Sequence, residues 1–357
     1  MRICIKMYGT AMAHLRPTTP FQLQRRNLLG WGLAAAGLAA AGAAAPHLAA
    51  FAADAADFIR GPKVPDVPFT KLSDHVFVIY AADGFPTESN QGMMSNITAV
   101  KTAKGMVILD TGASVQIGEM AIRQLRKLSD QPVVAVFNSH YHGDHWLGND
   151  AFVSAYGQDL PIYAMPHTRE QILGATGTEW QQAMLKWTNQ SSAGTRIVAP
   201  NRDVKHGDVF DFGDVTLRAH HYGTAHTPSD VCMEVVQDKL TYVGDVMMNR
   251  RIANMDEGSY PGSLAYMDKL AQNIPGSNWL PGHGHAGQDV MVWQRELFAA
   301  IWEHAQKAAH DMAGPDAAIA AAKADPRVAS KARDTAGWDN NIGKYISLAY
   351  LEAEQKA

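Results

Sequence analysis

A cluster of three histidines and one aspartate constrains this chain more than any other feature. His140, His142, Asp144 and His145 fall within six consecutive residues of the stretch NSHYHGDHWLGN. Imidazoles repel one another when protonated, so side chains this close indicate a shared partner, and a metal ion is the partner that suits them. The preceding residues, 133–137, are apolar and largely β-branched, which predicts a buried strand. We therefore expect the cluster on a loop at the carboxyl end of a strand, where α/β proteins concentrate function.

The surrounding chain alternates between strand and helix patterns. Short apolar runs bounded by turn residues predict strands at 76–80, 96–101, 106–109, 133–137, 215–219, 231–236 and 240–243. Apolar residues at three- and four-residue spacing predict helices at 117–128, 168–187, 264–273, 288–310 and from 340 onward. Strands and helices are mixed, twice over, so the fold class is predicted to be α/β. No composition change suggests a boundary within residues 66–310.

The charge distribution argues against a nucleic-acid partner. The formal net charge of the 357 residues is -4, and Lys and Arg form no cluster beyond the N-terminal region. Hydrophobic residues make up 46% of the chain, which is enough for one large core or two modest ones.

The N-terminal segment resembles a twin-arginine signal peptide. Arg25 and Arg26 precede an uninterrupted run of Ala, Gly, Leu and Trp at 31–45. This run is too short and too weakly apolar for a stable membrane span. We expect cleavage after Ala53, which makes 1–53 the signal peptide. The resemblance implies the twin-arginine export machinery as a partner and a periplasmic or secreted location.

Cysteine usage excludes an intramolecular disulfide in the cleaved chain. The two cysteines are Cys4, inside the predicted leader, and Cys232. Cys232 lies in an alternating apolar strand pattern, so we expect an inert buried thiol.

Three later segments offer further metal-binding side chains. His226 occurs in GTAHTPSD, Asp245 follows an apolar strand in TYVGDVMM, and His283 occurs in WLPGHGH. Gly or other small residues flank each of them and allow close backbone approach to a crowded site. His140 and His142 can reach one ion, whereas Asp144 and His145 point elsewhere and invite a second. His285, two residues after His283, is the alternative ligand in that segment.

The segments HYHGDH, AHTPSD, GD and PGHG, in this order, resemble the metallo-β-lactamase superfamily over nearly all of residues 66–290. The resemblance implies a four-layer αβ/βα sandwich with metal ions at one edge. It places the domain at 66–310 and leaves 311–357 as a C-terminal helical extension.

The resemblance also assigns roles to individual residues. It implies a first site of His140, His142 and His226, a second site of Asp144, His145 and His283, and Asp245 as the bridging carboxylate. True zinc β-lactamases typically lack this bridging Asp, whereas glyoxalase II-like and lactonase-like hydrolases have it. Asp110, in LDTG, matches a recurring aspartate expected to help hold the metal loop.

The expected cofactor is a pair of Zn²⁺ ions, although His and Asp ligands also suit iron or manganese. Two zinc ions lower the pKa of a shared water and polarise a carbonyl oxygen. Asp144 is expected to bind the second ion and also to orient the nucleophile. The sequence thus predicts an exported zinc-dependent hydrolase that attacks an ester, thioester or lactone carbonyl of a small molecule with a metal-bridging hydroxide. The alternatives are a β-lactamase-like activity, a phosphoester hydrolase, or a periplasmic metal-binding accessory protein without turnover.

Two loops are expected to select the substrate. Residues 83–94 carry Phe85, Met93 and Met94, which form either an apolar lid or an ordinary flexible loop. Residues 249–262 carry Arg250 and Arg251, which pair either with a substrate carboxylate or with a surface acid.

The remaining candidates have less support from the sequence. His221 and Tyr222 are either proton donors or ordinary packing residues. Structural roles are expected for the histidines without motif context, His75, His167, His206, His220, His304 and His310.

Overall fold

Apolar strands that are buried on both faces form the centre of the first sheet. In Gly105–Leu109, Met106 and Ile108 face helices, whereas Val107 and Leu109 face the second sheet. The strands, in spatial order, are Thr70–Lys71 (β1), Val76–Ile79 (β2), Ile97–Thr102 (β3), Gly105–Leu109 (β4), Val133–Phe137 (β5), Ile162–Ala164 (β6) and Arg202–Asp203 (β7). Neighbours from β1 to β4 are antiparallel, and neighbours from β4 to β7 are parallel.

The second sheet has five strands, with the last strand of the chain at one edge. The strands are Val209–Asp211 (β8), Thr216–His220 (β9), Cys232–Val235 (β10), Leu240–Gly244 (β11) and Asn278–Pro281 (β12). The spatial order is β12-β11-β10-β9-β8, and only β11 and β12 pair in parallel.

Helices cover the outer face of each sheet. They are Val115–Leu128 (α1), Gly143–Trp146 (α2), Asn149–Tyr156 (α3), Pro166–Leu173 (α4), Ala175–Trp187 (α5), Tyr260–Asn273 (α6), Val290–His310 (α7), Pro315–Ala324 (α8), Pro326–Ala329 (α9) and Trp338–Glu354 (α10). This computed structural model describes residues 59–82, 84–252 and 254–356, and the predicted signal peptide, 1–53, lies outside the described residues.

Three buried apolar clusters fill the spaces between the four layers. The central cluster joins the sheets and includes Val78 and Val107 from the first and Leu217, Met233 and Tyr242 from the second. A second cluster joins the first sheet to α1 and α3, and a third joins the second sheet to α6, α7 and the C-terminal helices. The predicted αβ/βα sandwich is confirmed. The predicted extension, 311–357, forms helices that share the apolar core of α7.

The helix predicted at 168–187 was wrong in one respect, because the chain forms two helices that meet at Gly174. The amide of Gly174 ends α4 by donating to the carbonyls of Glu170 and Gln171. A Cβ atom at Gly177 would lie 1.9 Å from the carbonyl oxygen of Ile172, so the first turn of α5 meets the end of α4 at a position where only glycine fits. Apolar spacing does not reveal such a break.

A hydrogen-bonded cluster ties the β10–β11 turn to the segment before β2. The carboxylate of Asp238 is 2% exposed and lies 2.6 Å from Nδ1 of His75, and it accepts a further hydrogen bond from Ser73 Oγ. Burial opposes ionisation of Asp238, but the hydrogen bonds from Ser73 and His75 outweigh it and hold the pKa below 3.8. The cluster therefore links the two sheets through a charged carboxylate and not through apolar contacts.

None of the helices formed by the described residues is long and apolar enough to cross a bilayer.

Candidate metal centre

The predicted metal loop begins where β5 ends. The amide of Asn138 donates to the carbonyl of Tyr163 on the neighbouring strand β6, and the carbonyl of Ser139 accepts from Val231 at the start of β10. The chain then turns into α2, which places Asp144 and His145 on one helical turn after His142. The loop is thus held by both sheets.

Glycines allow the strands of the second sheet to bring their side chains to the same edge. Gly244 has φ +51°, and a Cβ atom there would lie 2.7 Å from Cβ of Ser139. A Cβ atom at Gly282 would lie 2.4 Å from Oδ1 of Asp245 and 2.7 Å from Cε1 of His145. These contacts explain why Asp245 and His283 each follow a glycine-containing strand end.

A compact turn positions His226. The carboxylate of Asp230 accepts from the amide of Thr227 at 2.7 Å and from its hydroxyl at 2.8 Å. This closes the segment AHTPSD on itself and directs His226 towards the metal loop. Nε2 of His226 lies 2.9 Å from Nδ1 of His142.

The structure brings all seven predicted residues together in two buried groups. Within each group, the atoms able to bind a metal lie within 4.8 Å of one another. The first group is His140, His142, His226 and Asp245, and the second group is Asp144, His145 and His283. Each group contains one of the two expected sets of three residues, and Asp245, which was expected between them, falls in the first group.

Asp245 contacts histidines of both groups. Its Oδ1 lies 3.4 Å from Nε2 of His145, and its Oδ2 lies 3.5 Å from Nε2 of His226 and 3.3 Å from Nε2 of His283. A carboxylate between two sets of imidazoles is the arrangement expected of a bridging ligand.

The donor set fits metal ions. Nε2 of His140, Nε2 of His145 and Oδ1 of Asp245 are buried and lack a hydrogen-bond partner among the described residues. Leaving a buried polar atom unpaired costs about 1–3 kcal/mol, so several at one point indicate a ligand. Imidazole nitrogens with carboxylate oxygens are the ligands that zinc takes in proteins.

Three histidines have their other ring nitrogen fixed by the protein. Nδ1 of His145 lies 2.7 Å from Asp110 Oδ2, Nδ1 of His283 lies 2.7 Å from the carbonyl of Met94, and Nδ1 of His140 lies 2.9 Å from Ser139 Oγ. A proton on Nδ1 leaves the lone pair on Nε2, which faces the centre. The surroundings therefore select the tautomer that binds a metal.

Asp110 organises this region from beneath. Its Oδ1 accepts from the amide of Ser139 at 2.7 Å, and its Oδ2 accepts from Ser139 Oγ at 2.6 Å, Tyr242 Oη at 2.6 Å and His145 Nδ1. Asp110 is buried and has φ +56°. This network agrees with the expectation that Asp110 holds the metal loop.

Glu257 is a site residue that the sequence analysis missed. Its Oε2 lies 3.1 Å from Nε2 of His142, and it also bonds to the hydroxyl of Tyr141. The neighbouring Gly258 packs so tightly that a Cβ atom there would lie 2.6 Å from the carbonyl of Ala225. The loop 249–262 was singled out for its arginines, and only the Glu-Gly pair could have drawn attention to this carboxylate.

Electrostatics favour ionised carboxylates at the centre. Burial raises the pKa of Asp144 and Asp245, but the imidazoles of His145 and His283 outweigh it and hold both pKa values well below 3.8. Both side chains are therefore anionic at neutral pH.

The histidines divide into two classes. Burial, reinforced by neighbouring imidazoles, lowers the pKa of His140 well below 6.5 and that of His226 to about 3. Burial also opposes protonation of His145 and His283, but nearby carboxylates outweigh it and raise both pKa values. Metal binding would thus displace protons from His145 and His283 rather than from His140 and His226.

The less supported candidates lie outside both groups. The ring of His285 packs against Tyr80, with centroids 4.3 Å apart. Nδ1 of His221 bonds to the carbonyl of Asp230, and Tyr222 Oη bonds to Nδ1 of His220. His283 rather than His285 is therefore the member of the second group.

Both arginines of the second loop have protein partners. Nη2 of Arg250 lies 3.0 Å from Asp289 Oδ2, so Arg250 pairs with a surface acid, which was one of its two expected partners. Arg251 is buried, and its Nη2 donates to the carbonyl of Gly84 at 3.1 Å. Arg251 thus links the two loops expected to select the substrate.

Structural neighbours share this fold. A metallo-beta-lactamase from Pontibacter korlensis aligns with a TM-score of 0.53 at 19% identity, covering 66% of this chain and 99% of its own. A double mutant of the sec-alkyl sulfatase PisA1 aligns with a TM-score of 0.63 at 16% identity, covering 80% of this chain and 50% of its own.

Characterised relatives are distant. An atrochrysone carboxyl ACP thioesterase from Aspergillus chevalieri is 23% identical over 262 residues, which are 70% of this chain and 72% of the relative. The lactamase-like protein aptB from Emericella nidulans is 24% identical over 239 residues, 66% of this chain and 65% of the relative. A linear primary-alkylsulfatase from a Pseudomonas species is 40% identical over only 77 residues, 21% of this chain and 15% of the relative.

The family model described as the metallo-beta-lactamase superfamily matches residues 91–323, which include all seven residues of the two groups. The predicted family is confirmed, and the chain belongs to the metallo-beta-lactamase superfamily.

Proposed function

We propose that this protein is a hydrolase that holds two zinc ions and attacks the carbonyl of an ester, thioester or lactone. One observation carries the proposal: seven buried side chains form two adjoining groups, with Asp245 in contact with histidines of both. The thioesterase relative, which aligns over most of both chains, supports a carbonyl substrate.

Each group has a defined part in this proposal. His140, His142 and His226 would hold the first ion, Asp144, His145 and His283 the second, and Asp245 both. Ions held there would activate water and polarise the substrate carbonyl oxygen.

Asp144 is the proposed catalytic residue. Its Oδ2 lies 3.3 Å from Nε2 of His145 and 3.2 Å from Nε2 of His283, and it remains ionised at neutral pH. An ionised carboxylate in this position accepts a hydrogen bond from the attacking water and orients it.

Sulfate esters are the second candidate class of substrate, because alkyl sulfatases occur both among the relatives and among the structural neighbours. The carboxylate of Glu257 beside His142 disfavours sulfate esters and phosphate mono- and diesters, because it would repel these anions. A neutral carbonyl substrate meets no such repulsion. β-Lactam turnover and an accessory metal-binding role are the remaining alternatives.

Export by the twin-arginine route to the periplasm or the medium is part of the proposal. Its support is the pair Arg25-Arg26 ahead of the apolar run at 31–45. Localising a C-terminally tagged chain with the pair intact and with both arginines changed to lysine tests it, since only the intact pair should direct export.

The activity is tested with purified protein whose zinc content has been measured. The substrates are a thioester, a lactone, a β-lactam, a phosphotriester and an alkyl sulfate. Asp144→Ala is the inactive variant, and Asp289→Ala, which removes an exposed aspartate bonded to Arg250, is the matched control.

We expect turnover of the thioester or lactone that Asp144→Ala abolishes and Asp289→Ala retains. Preferred turnover of the sulfate or phosphate ester would contradict the carbonyl assignment. Two bound ions without turnover of any substrate would favour the accessory role, and failure to bind zinc, iron or manganese would refute the metal centre itself.

A further inference from the structure

Three aromatic side chains continue outward from the metal centre. The ring of Trp180 packs on His142 with centroids 5.0 Å apart, Trp187 meets Trp180 at 6.0 Å, and Phe85 meets Trp187 at 5.9 Å. The last two contacts are edge-to-face, with interplanar angles of 77° and 74°. We call Trp180, Trp187 and Phe85 the aromatic wall.

The wall becomes more exposed with distance from the centre. Trp180 is partly buried, Trp187 is 39% exposed, and Phe85 is 64% exposed. Large aromatic side chains are costly to leave in water. Trp187 and Phe85 are nevertheless exposed, and ring contacts connect them through Trp180 to His142, a candidate metal ligand. This series of ring contacts therefore points to a ligand that enters the same centre.

Two glycines allow the wall to form. A Cβ atom at Gly143 would lie 2.8 Å from Cβ of Trp180, so glycine in HYHGDH lets α5 approach the metal loop. Gly92, with φ +82°, would bring a Cβ atom 3.2 Å from Cγ2 of Thr188, just after Trp187. The loop and the helix that carry the wall are thus packed against each other.

The loop that presents Phe85 is held in place rather than free. The side chain of Asn90 bonds to the carbonyl of Phe85 and to the amides of Thr87 and Gly92. Further on, the carbonyl of Met94 accepts from His283. Of the residues predicted to form a lid, Phe85 is therefore the exposed outer member of the wall, whereas Met93 is buried in the core of the first sheet.

We propose that the aromatic wall binds a flat, uncharged aromatic acyl group of the substrate while its carbonyl lies at the metal centre. This proposal rests on the proposed hydrolysis of an acyl carbonyl and names the substrate class. Exposed ring faces and edges bind another ring in stacked or edge-to-face geometry, which a linear alkyl chain cannot exploit. Glu257, on the other nitrogen of His142, disfavours an anionic group at the same entrance.

The test compares acetyl, hexanoyl, benzoyl and 2-naphthoyl thioesters of one thiol. Trp187→Ala and Phe85→Ala remove wall rings, Trp187→Phe keeps a ring, and Trp302→Ala is a control in the opposite helical layer. Calorimetric titration with a non-hydrolysable 2-naphthyl ketone gives a readout that is independent of turnover.

We expect kcat/KM to be highest for the aromatic acyl groups and to fall about 3- to 10-fold for each ring removed. Trp187→Phe should restore most of the preference, and Trp302→Ala should leave kcat/KM nearly unchanged across the series. The proposal that the wall binds an aromatic acyl group would be overturned by equal kcat/KM across the series, by a preference for hexanoyl, or by a preference that is unchanged in the variants.

Absence of turnover with every thioester would exclude thioesters from the proposed function, and the ketone titration would then decide whether the wall binds an aromatic group. Ketone binding that Trp187→Ala weakens and Trp187→Phe restores would support the proposed role of the wall. Ketone binding that is absent, or equal in all variants, would overturn that role.

Discussion

Replacing Asp110 with asparagine should weaken metal binding although Asp110 itself is not among the seven metal-binding candidates. The change keeps the size of the side chain but converts one oxygen into an NH₂ donor. Oδ1 of Asp110 faces the amide of Ser139, and Oδ2 faces Ser139 Oγ, Tyr242 Oη and His145 Nδ1. Either placement of the NH₂ group therefore sets donor against donor.

The two placements have different costs. An NH₂ group at the Oδ1 position opposes the amide of Ser139, which cannot reverse, and an unsatisfied buried donor costs about 1–3 kcal/mol. At the Oδ2 position both hydroxyls can rotate, but His145 can accept only by moving its proton to Nε2, which faces Asp144 and Asp245. We expect unfolding free energy to fall by about 1–3 kcal/mol and metal affinity to fall about 10- to 100-fold.

The assay is metal affinity, measured by competition with a coloured chelator, together with urea unfolding of the metal-free protein. Asp150→Asn is the matched control, because Asp150 is buried and bonds to Arg196 at 2.6 Å but belongs to neither group. The control should lose stability and keep its metal affinity. Folded Asp110→Asn protein with unchanged affinity for both ions would refute the tautomer argument.

Three further predictions follow from the same structure. His283→Ala should lose one of two bound zinc ions, whereas His285→Ala should keep both, as measured by elemental analysis. The opposite result would assign the ligand to His285. Asp238→Asn should lower unfolding free energy by about 1.5–3 kcal/mol at pH 7. Because the folded-state pKa of Asp238 lies below 3.8, this difference should shrink as pH falls below that value, and a difference that is constant down to pH 2 would contradict it. In a Cys4→Ser background, Cys232 should react with a thiol reagent only after unfolding, because it is buried and burial raises the pKa of its thiol. Rapid reaction of the native protein would contradict this expectation.

The residue pattern was sufficient for the mixed strands and helices and for the seven candidate residues, and the resemblance to the superfamily supplied the sandwich and the division of the seven between two sites. The strands and helices could be recognised because their periodicities reflect local burial. The candidate metal-binding residues could be recognised because each is a histidine or aspartate that stands close to a small residue. His226, Asp245 and His283 were identifiable because each combined these two properties with the expected order.

What the sequence did not reveal depends on contacts between distant segments. Glu257 looks like any surface carboxylate until Gly258 packs on the backbone near His226. The aromatic wall likewise joins Phe85 to Trp187, which lie on different elements, and no spacing rule connects them. The short strands β7 and β8 carry exposed side chains and so lack the apolar pattern that marks the others.

The position of the metal-binding residues along the chain has a consequence for folding. His142 and His226 are 84 residues apart, yet their nitrogens nearly touch, and the single cysteine among the described residues forms no disulfide. An ion shared by such residues acts as a cross-link, and closing a loop of this length by a covalent bond removes about 4–5 kcal/mol of unfolded-chain entropy. For this protein a chelator should therefore act much as a reducing agent acts on a disulfide-stabilised one.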